Sequence, residues 1–119
     1  MKEFSRNFEE LLSRLLDVPF DEVRKRYEGY LEFVLQTRYL TRVYPVLETY
    51  FGVPFKPPGV LPNEEAESYS KRYGGIRKQQ TLYFLKSGIS ASCAMIWPWS
   101  NGEHATVKVA QGALESNKK

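Results

Sequence analysis

Residues 82–110 read LYFLKSGISASCAMIWPWSNGEHATVKVA, three apolar runs separated by Ser87-Gly88 and Ser100-Asn101-Gly102, both of which supply the glycine that tight hairpins need. Strands are predicted at 82–85, 89–97 and 105–110, joined as a three-stranded antiparallel meander within 76–111. A two-residue turn at Ser87-Gly88 sets Leu82 opposite Cys93 and Phe84 opposite Ala91. Two registers compete for the second hairpin. A tight Asn101-Gly102 turn sets Met95 opposite Lys108, whereas a three-residue loop with Gly102 in the left-handed conformation sets Met95 opposite Val107 and Cys93 opposite Val109. The second collects the apolar groups on one face and is preferred on that ground. Leu82, Phe84, Cys93, Met95, Trp97, Ala105, Val107 and Val109 then face the core. The opposite face, with Tyr83, Leu85, Ala94, Ile96 and Lys108, is half apolar and expected to be open to a partner.

Working back along the chain, Asn63 reads as an N-cap. Glu64, Glu65 and Glu67 follow near the positive end of a helix dipole, Lys71 and Arg72 lie near the negative end, and Gly74 is the stop. A short polar helix is predicted within 63–74. Pro54, Pro57, Pro58, Gly59 and Pro62 make 53–62 an extended linker. From 38 to 51 apolar residues nearly encircle a helix, and Pro45, which cannot donate to Thr41, is expected to kink or break it. Phe4, Phe8, Leu11, Leu12, Leu15 and Leu16 form a helical stripe. Val23, Tyr27, Tyr30, Leu31, Val34 and Leu35 repeat that spacing after Pro19 and predict a second helix. The predicted class is α+β: two or three N-terminal helices over 1–52 and a short polar helix packed on the meander, with 112–119 a polar tail.

The 119 residues, 42% hydrophobic and 26% charged, suit one globular domain that buries about two thirds of its unfolded surface. Collagenous and disulfide-rich classes are excluded, and a wholly disordered chain is not expected. Cys93 and His104 are the only thiol and imidazole, too few for a structural zinc site, and no metal or cofactor is expected. Charges throughout the first ten residues argue against a signal peptide, and the longest uncharged run, 87–102, is too short and too broken to span a bilayer. A cytoplasmic location without membrane association is the expectation. Residues 1–50 hold eight Lys/Arg against nine Asp/Glu, whereas 51–119 hold nine against five, so any anion-binding surface is sought in the second half.

A Cys93–His104 dyad is disfavoured by the preferred register. It places His104 opposite Pro98, on the other face from Cys93 and about 17 Å away at 3.4 Å per residue. No catalytic residues are assigned. The segment 69–83 carries Lys71, Arg72, Arg77 and Lys78 without an acid, interleaved with Tyr69, Tyr73 and Tyr83, the mixture a single-stranded nucleic-acid surface uses. A solvated basic face is the competing explanation. Arg38 and Arg42, at i and i+4 with no acid at helical spacing, are either neutralised within the fold or form an anion clamp beside Tyr39 and Tyr44. Trp97-Pro98-Trp99 at a hairpin mouth is a core cap or a protein-binding anchor.

These residues lead to a non-enzymatic binding or adaptor domain that forms a homodimer, or takes another protein partner, through the sheet face or an edge strand. RNA or single-stranded DNA binding through 69–83 is the first alternative. The second is a small-molecule-binding protein or enzyme with a pocket between the kinked helix and the sheet, lined by Tyr39, Arg42, Tyr44 and Trp97.

Overall fold

Phe8, Leu11, Leu12 and Leu15 are all buried on one side of α1 (Lys2–Leu16), as the 3.6-residue spacing requires. The computed structural model describes residues 2–113, with side chains from Asn7 onward. The predicted second helix does not form. Instead β1 (Glu22–Tyr27) and β2 (Tyr30–Gln36) make an antiparallel hairpin closed by Tyr27 opposite Tyr30, around Glu28-Gly29. Gly29 holds φ at 78°, which suits glycine and the primed turns that match strand twist. The helical spacing misled because β2 is covered on both faces, so Tyr30, Leu31, Phe33, Val34 and Leu35 are all buried and the alternation that marks a strand is lost.

After a 3-10 turn at Thr37–Tyr39, α2 (Leu40–Phe51) runs through Pro45 without a break. The lost bond is the one to Thr41, an exposed residue whose carbonyl water can serve. Next, α3 (Glu64–Ser70) starts at Asn63, whose side chain accepts from Ala66 N at 2.8 Å, continues as a 3-10 turn at Lys71–Tyr73, and stops at Gly74 with φ 105°. Three strands complete the fold: β3 (Thr81–Ser87), β4 (Ser90–Pro98) and β5 (His104–Ala113). β5 therefore takes in residues placed in the tail by sequence, and 114–119 lie outside the described residues.

The sheet has five strands in the order β1-β2-β5-β4-β3, not three. The meander is present, but its far side pairs with the N-terminal hairpin, Tyr30 facing Ala110 and Gln36 facing His104. Both expected hairpin registers are corrected. β3 turns into β4 through Gly88-Ile89, setting Leu82 opposite Met95, and β4 meets β5 with Met95 opposite Lys108, Cys93 opposite Ala110 and Trp97 opposite Thr106. A single buried face was the wrong criterion, because both faces are covered.

α1 and α2 pack on Leu31, Phe33, Leu35, Tyr83, Ala94, Ile96, Ala105, Val107 and Val109. The face expected to lie open is thus the principal core. Leu82, Phe84, Cys93, Met95 and Trp97 are on the other side, beneath Ala66, Tyr69, Tyr73 and Ile76. The linker guards the β3 edge: Lys56 exchanges two backbone hydrogen bonds with Leu82, and its buried Nζ donates to the carbonyls of Pro57, Lys78 and Gln80 at 3.0, 2.6 and 2.5 Å. β1 ends the sheet on the other side with all six residues exposed.

Candidate functional site

Tyr27 and Tyr30, directly opposed at the end of the β1–β2 hairpin, stack with ring centroids 5.1 Å apart and planes 20° from parallel. Tyr30 is buried and donates its hydroxyl to Glu32 Oε1 at 2.7 Å. Burial, and then the acceptor Glu32, hold that phenol protonated far above the ordinary range. Tyr73, carried one turn beyond α3, stacks on Tyr30 at 6.1 Å, and Tyr69 lies 5.9 Å from Tyr73 and 4.5 Å from Phe84. Phe55 closes the row 5.4 Å from Phe84. Six rings therefore cross the α3 side of the sheet from β1 to β3. At its β1 end Tyr27 remains 62% exposed, with one ring face on Tyr30.

Cations accompany these rings. The Arg72 guanidinium lies 5.7 Å from both the Tyr69 and Tyr73 centroids, and its Nη1 donates to the carbonyl of Ala113. Across β1, β2 and β5 the register lines up Lys25, Glu32 and Lys108. Lys108 Nζ sits 3.4 Å from the Trp97 centroid and donates to the Tyr73 carbonyl at 2.9 Å. Burial lowers the Lys108 pKa, and Glu32 opposes that shift. Gly74 is required beside this pair, because a Cβ there would come 2.6 Å from the Trp97 ring. Trp99 donates Nε1 to Thr106 Oγ1 at 2.9 Å and carries the Arg24 guanidinium 5.5 Å from its ring, while Glu22 holds Arg24 Nε at 2.9 Å.

The structure divides the residues singled out by sequence. Arg72 and Tyr73 join the β1–β2 hairpin. Lys71 is the exposed first residue of the same turn. Arg77 and Lys78 are exposed too, but belong to the turn before β3, where Gln80 Oε1 accepts from Arg77 N and the Lys78 carbonyl accepts from Lys56. Tyr83 is buried on the opposite face against Phe51 and cannot share their surface. Arg38 lies 4.8 Å from the Tyr39 ring and Arg42 is exposed on α2. Tyr44 is half-buried, which raises its pKa. Trp97 occupies the other side of the sheet from α2, so the expected pocket among Tyr39, Arg42, Tyr44 and Trp97 is not formed. A groove of about 290 Å³ lies instead between the α1 and α2 helices, with Glu10, Arg14, Thr49 and Tyr50 in its wall.

Sequence reading missed Arg24, Lys25, Tyr27 and Glu32 as part of this surface, because it placed residues 23–35 on a helix, and it read Trp99 only as a core cap or a protein-binding anchor. The usable signal was Tyr27-Glu28-Gly29-Tyr30, a glycine flanked by rings that favour strands.

Cys93 and His104 share the α3 side rather than standing on opposite faces. Their partners Ala110 and Trp99 put them about six residues apart along the ladder, on the order of 20 Å, which still excludes a dyad. Burial pushes the Cys93 thiol up to about 12. Native protein at pH 8 is therefore expected to resist thiol-reactive dyes and to label fully once denatured; fast native labelling would contradict the burial. Among the described residues no group of three or more His, Cys, Asp or Glu is placed to hold a metal ion, and no helix is long and apolar enough to cross a membrane. Comparison of the chain with protein-family models, curated proteins and solved structures finds no match.

Proposed function

We propose that this protein is a non-enzymatic binding domain for single-stranded nucleic acid, and that its contact surface is the α3 side of the β1–β2 hairpin. The supporting observation is Tyr27: an exposed ring, stacked on a buried one, with Lys25 on the same strand face and Arg72 over the next ring of the row. Single strands offer bases that stack on such rings and phosphates that seek such cations, whereas a duplex hides its base faces. Self-association through a sheet face has less support, since both faces are covered. Self-pairing through β1 about a two-fold axis at Lys25 sets Lys25 against its own copy and Arg24 against Arg26, and opposed like charges destabilise strand pairs.

Fluorescence anisotropy of labelled uridine and thymidine oligomers across a salt series tests this reading. Binding at low salt that weakens linearly in log–log form is expected. The slope falls by about 0.7 in Lys25→Ala, the single-strand value for one phosphate no longer neutralised. Absence of binding at low salt, or binding indifferent to salt, refutes it.

A further inference from the structure

We infer that β1 is the track of the strand, with a base on Tyr27 and the phosphates running over Lys25 to Arg24, so that the site spans about two or three nucleotides. This rests on the nucleic-acid reading above. Its own support is the irregularity in β1 between Val23 and Lys25. In a regular strand Arg24 would point away from the face that carries Lys25 and Tyr27. The extra residue of a bulge re-aims a side chain, and Arg24 accordingly lies over Trp99, whose Nε1 bonds Thr106 on the α3 side. Arg24, Lys25 and Tyr27 thus share one face, while Arg26, paired with Leu31, is on the other.

From Tyr27 to Arg24 the strand rises about 10 Å. A stacked strand advances about 3.4 Å per nucleotide and one splayed onto protein rings advances more, so the track holds no more than about three nucleotides. Two acids border the track. Glu22 holds Arg24 at Nε, and Glu32 lies between Lys25 and Lys108 and accepts from Tyr30. Both sit beside cations and so leave the row mixed in charge, which limits the phosphate contacts to Lys25 and Arg24.

Uridine oligomers of two, four, six and ten nucleotides test the span. Affinity is expected to rise more than tenfold between the two-mer, whose one bridging phosphate cannot meet both Lys25 and Arg24, and the four-mer, then only in proportion to the number of registers on the longer strand, because one chain engages both ends of the track. Arg24→Ala is expected to weaken the six-mer about threefold to tenfold and leave the two-mer unchanged, and Arg24→Lys restores most of the loss. Arg24 is exposed, and a thermal melt of each variant confirms that the fold is kept. An equal effect of Arg24→Ala at every length, or none, overturns the track and leaves the nucleic-acid reading in place. Failure of every length to bind the parent protein at low salt removes that reading itself.

Discussion

Tyr27→Ala is expected to lower affinity for a single-stranded oligonucleotide by about 5-fold to 150-fold, the loss that corresponds to roughly 1 to 3 kcal/mol for a base stacked on an aromatic ring. The urea midpoint of unfolding is expected to stay close to that of the parent. Tyr27 is 62% exposed and its one ring contact, with Tyr30, lies at the edge of the sheet, so truncation removes little buried surface. A purely structural Tyr27 gives the reverse pattern, a shifted midpoint with binding intact. Tyr27→Phe separates stacking from hydrogen bonding, since it keeps the ring and is expected to keep most of the affinity. The pair is read by anisotropy titration beside chemical denaturation, and loss of affinity in Tyr27→Phe equal to that in Tyr27→Ala would sink the stacking account.

Gly29→Val is expected to destabilise the protein by about 2 to 4 kcal/mol, read as a fall in the urea midpoint. Two effects combine. The backbone sits at φ 78°, where a non-glycine residue pays roughly 1 to 2 kcal/mol and a β-branched one more. A Cβ would also come 2.7 Å from the Gln111 carbonyl oxygen, and that neighbour is backbone. Gln111 N donates to the Gly29 carbonyl at 2.9 Å, so relief of the clash strains the tie between hairpin and β5. Gly88→Ala is the control: φ is 62° but nothing lies within 4 Å of the added carbon, so only the conformational cost remains, about 1 kcal/mol. If the two variants unfold at the same midpoint, the close approach at Gly29 has no energetic weight.

The helix at 2–16 and the capped turn of helix at 64–70 were legible because their signals are local: an apolar stripe in one case, Asn63 with its acids and Gly74 in the other. The meander was legible as strands, though not in register, because register depends on what covers each face. Residues 69–78 bury Leu82 and Met95 on one side while α1 and α2 bury Ile96 and Val107 on the other. No property of residues 82–110 announces that second cover. The hairpin at 22–36 was illegible for the same reason. Two-sided burial gave β2 a continuous apolar run that a 3.6-residue template fits as well as a strand does. The candidate site inherited that error. Arg72 and Tyr73 were found from their own segment, but Tyr27 and Lys25 become their neighbours only once β2 pairs with β5, a relation between distant residues.

That pairing also bears on how the chain reaches its native state. β3, β4 and β5 are joined by tight turns and close over short loops, while the β2–β5 seam joins residues about 70 to 80 apart in sequence and carries a much larger loop-closure cost before its contacts form. A meander nucleus with the N-terminal hairpin docking late follows from that difference. Chains caught before docking expose the flank of β5 as an unpaired strand, the kind of surface on which nascent proteins aggregate.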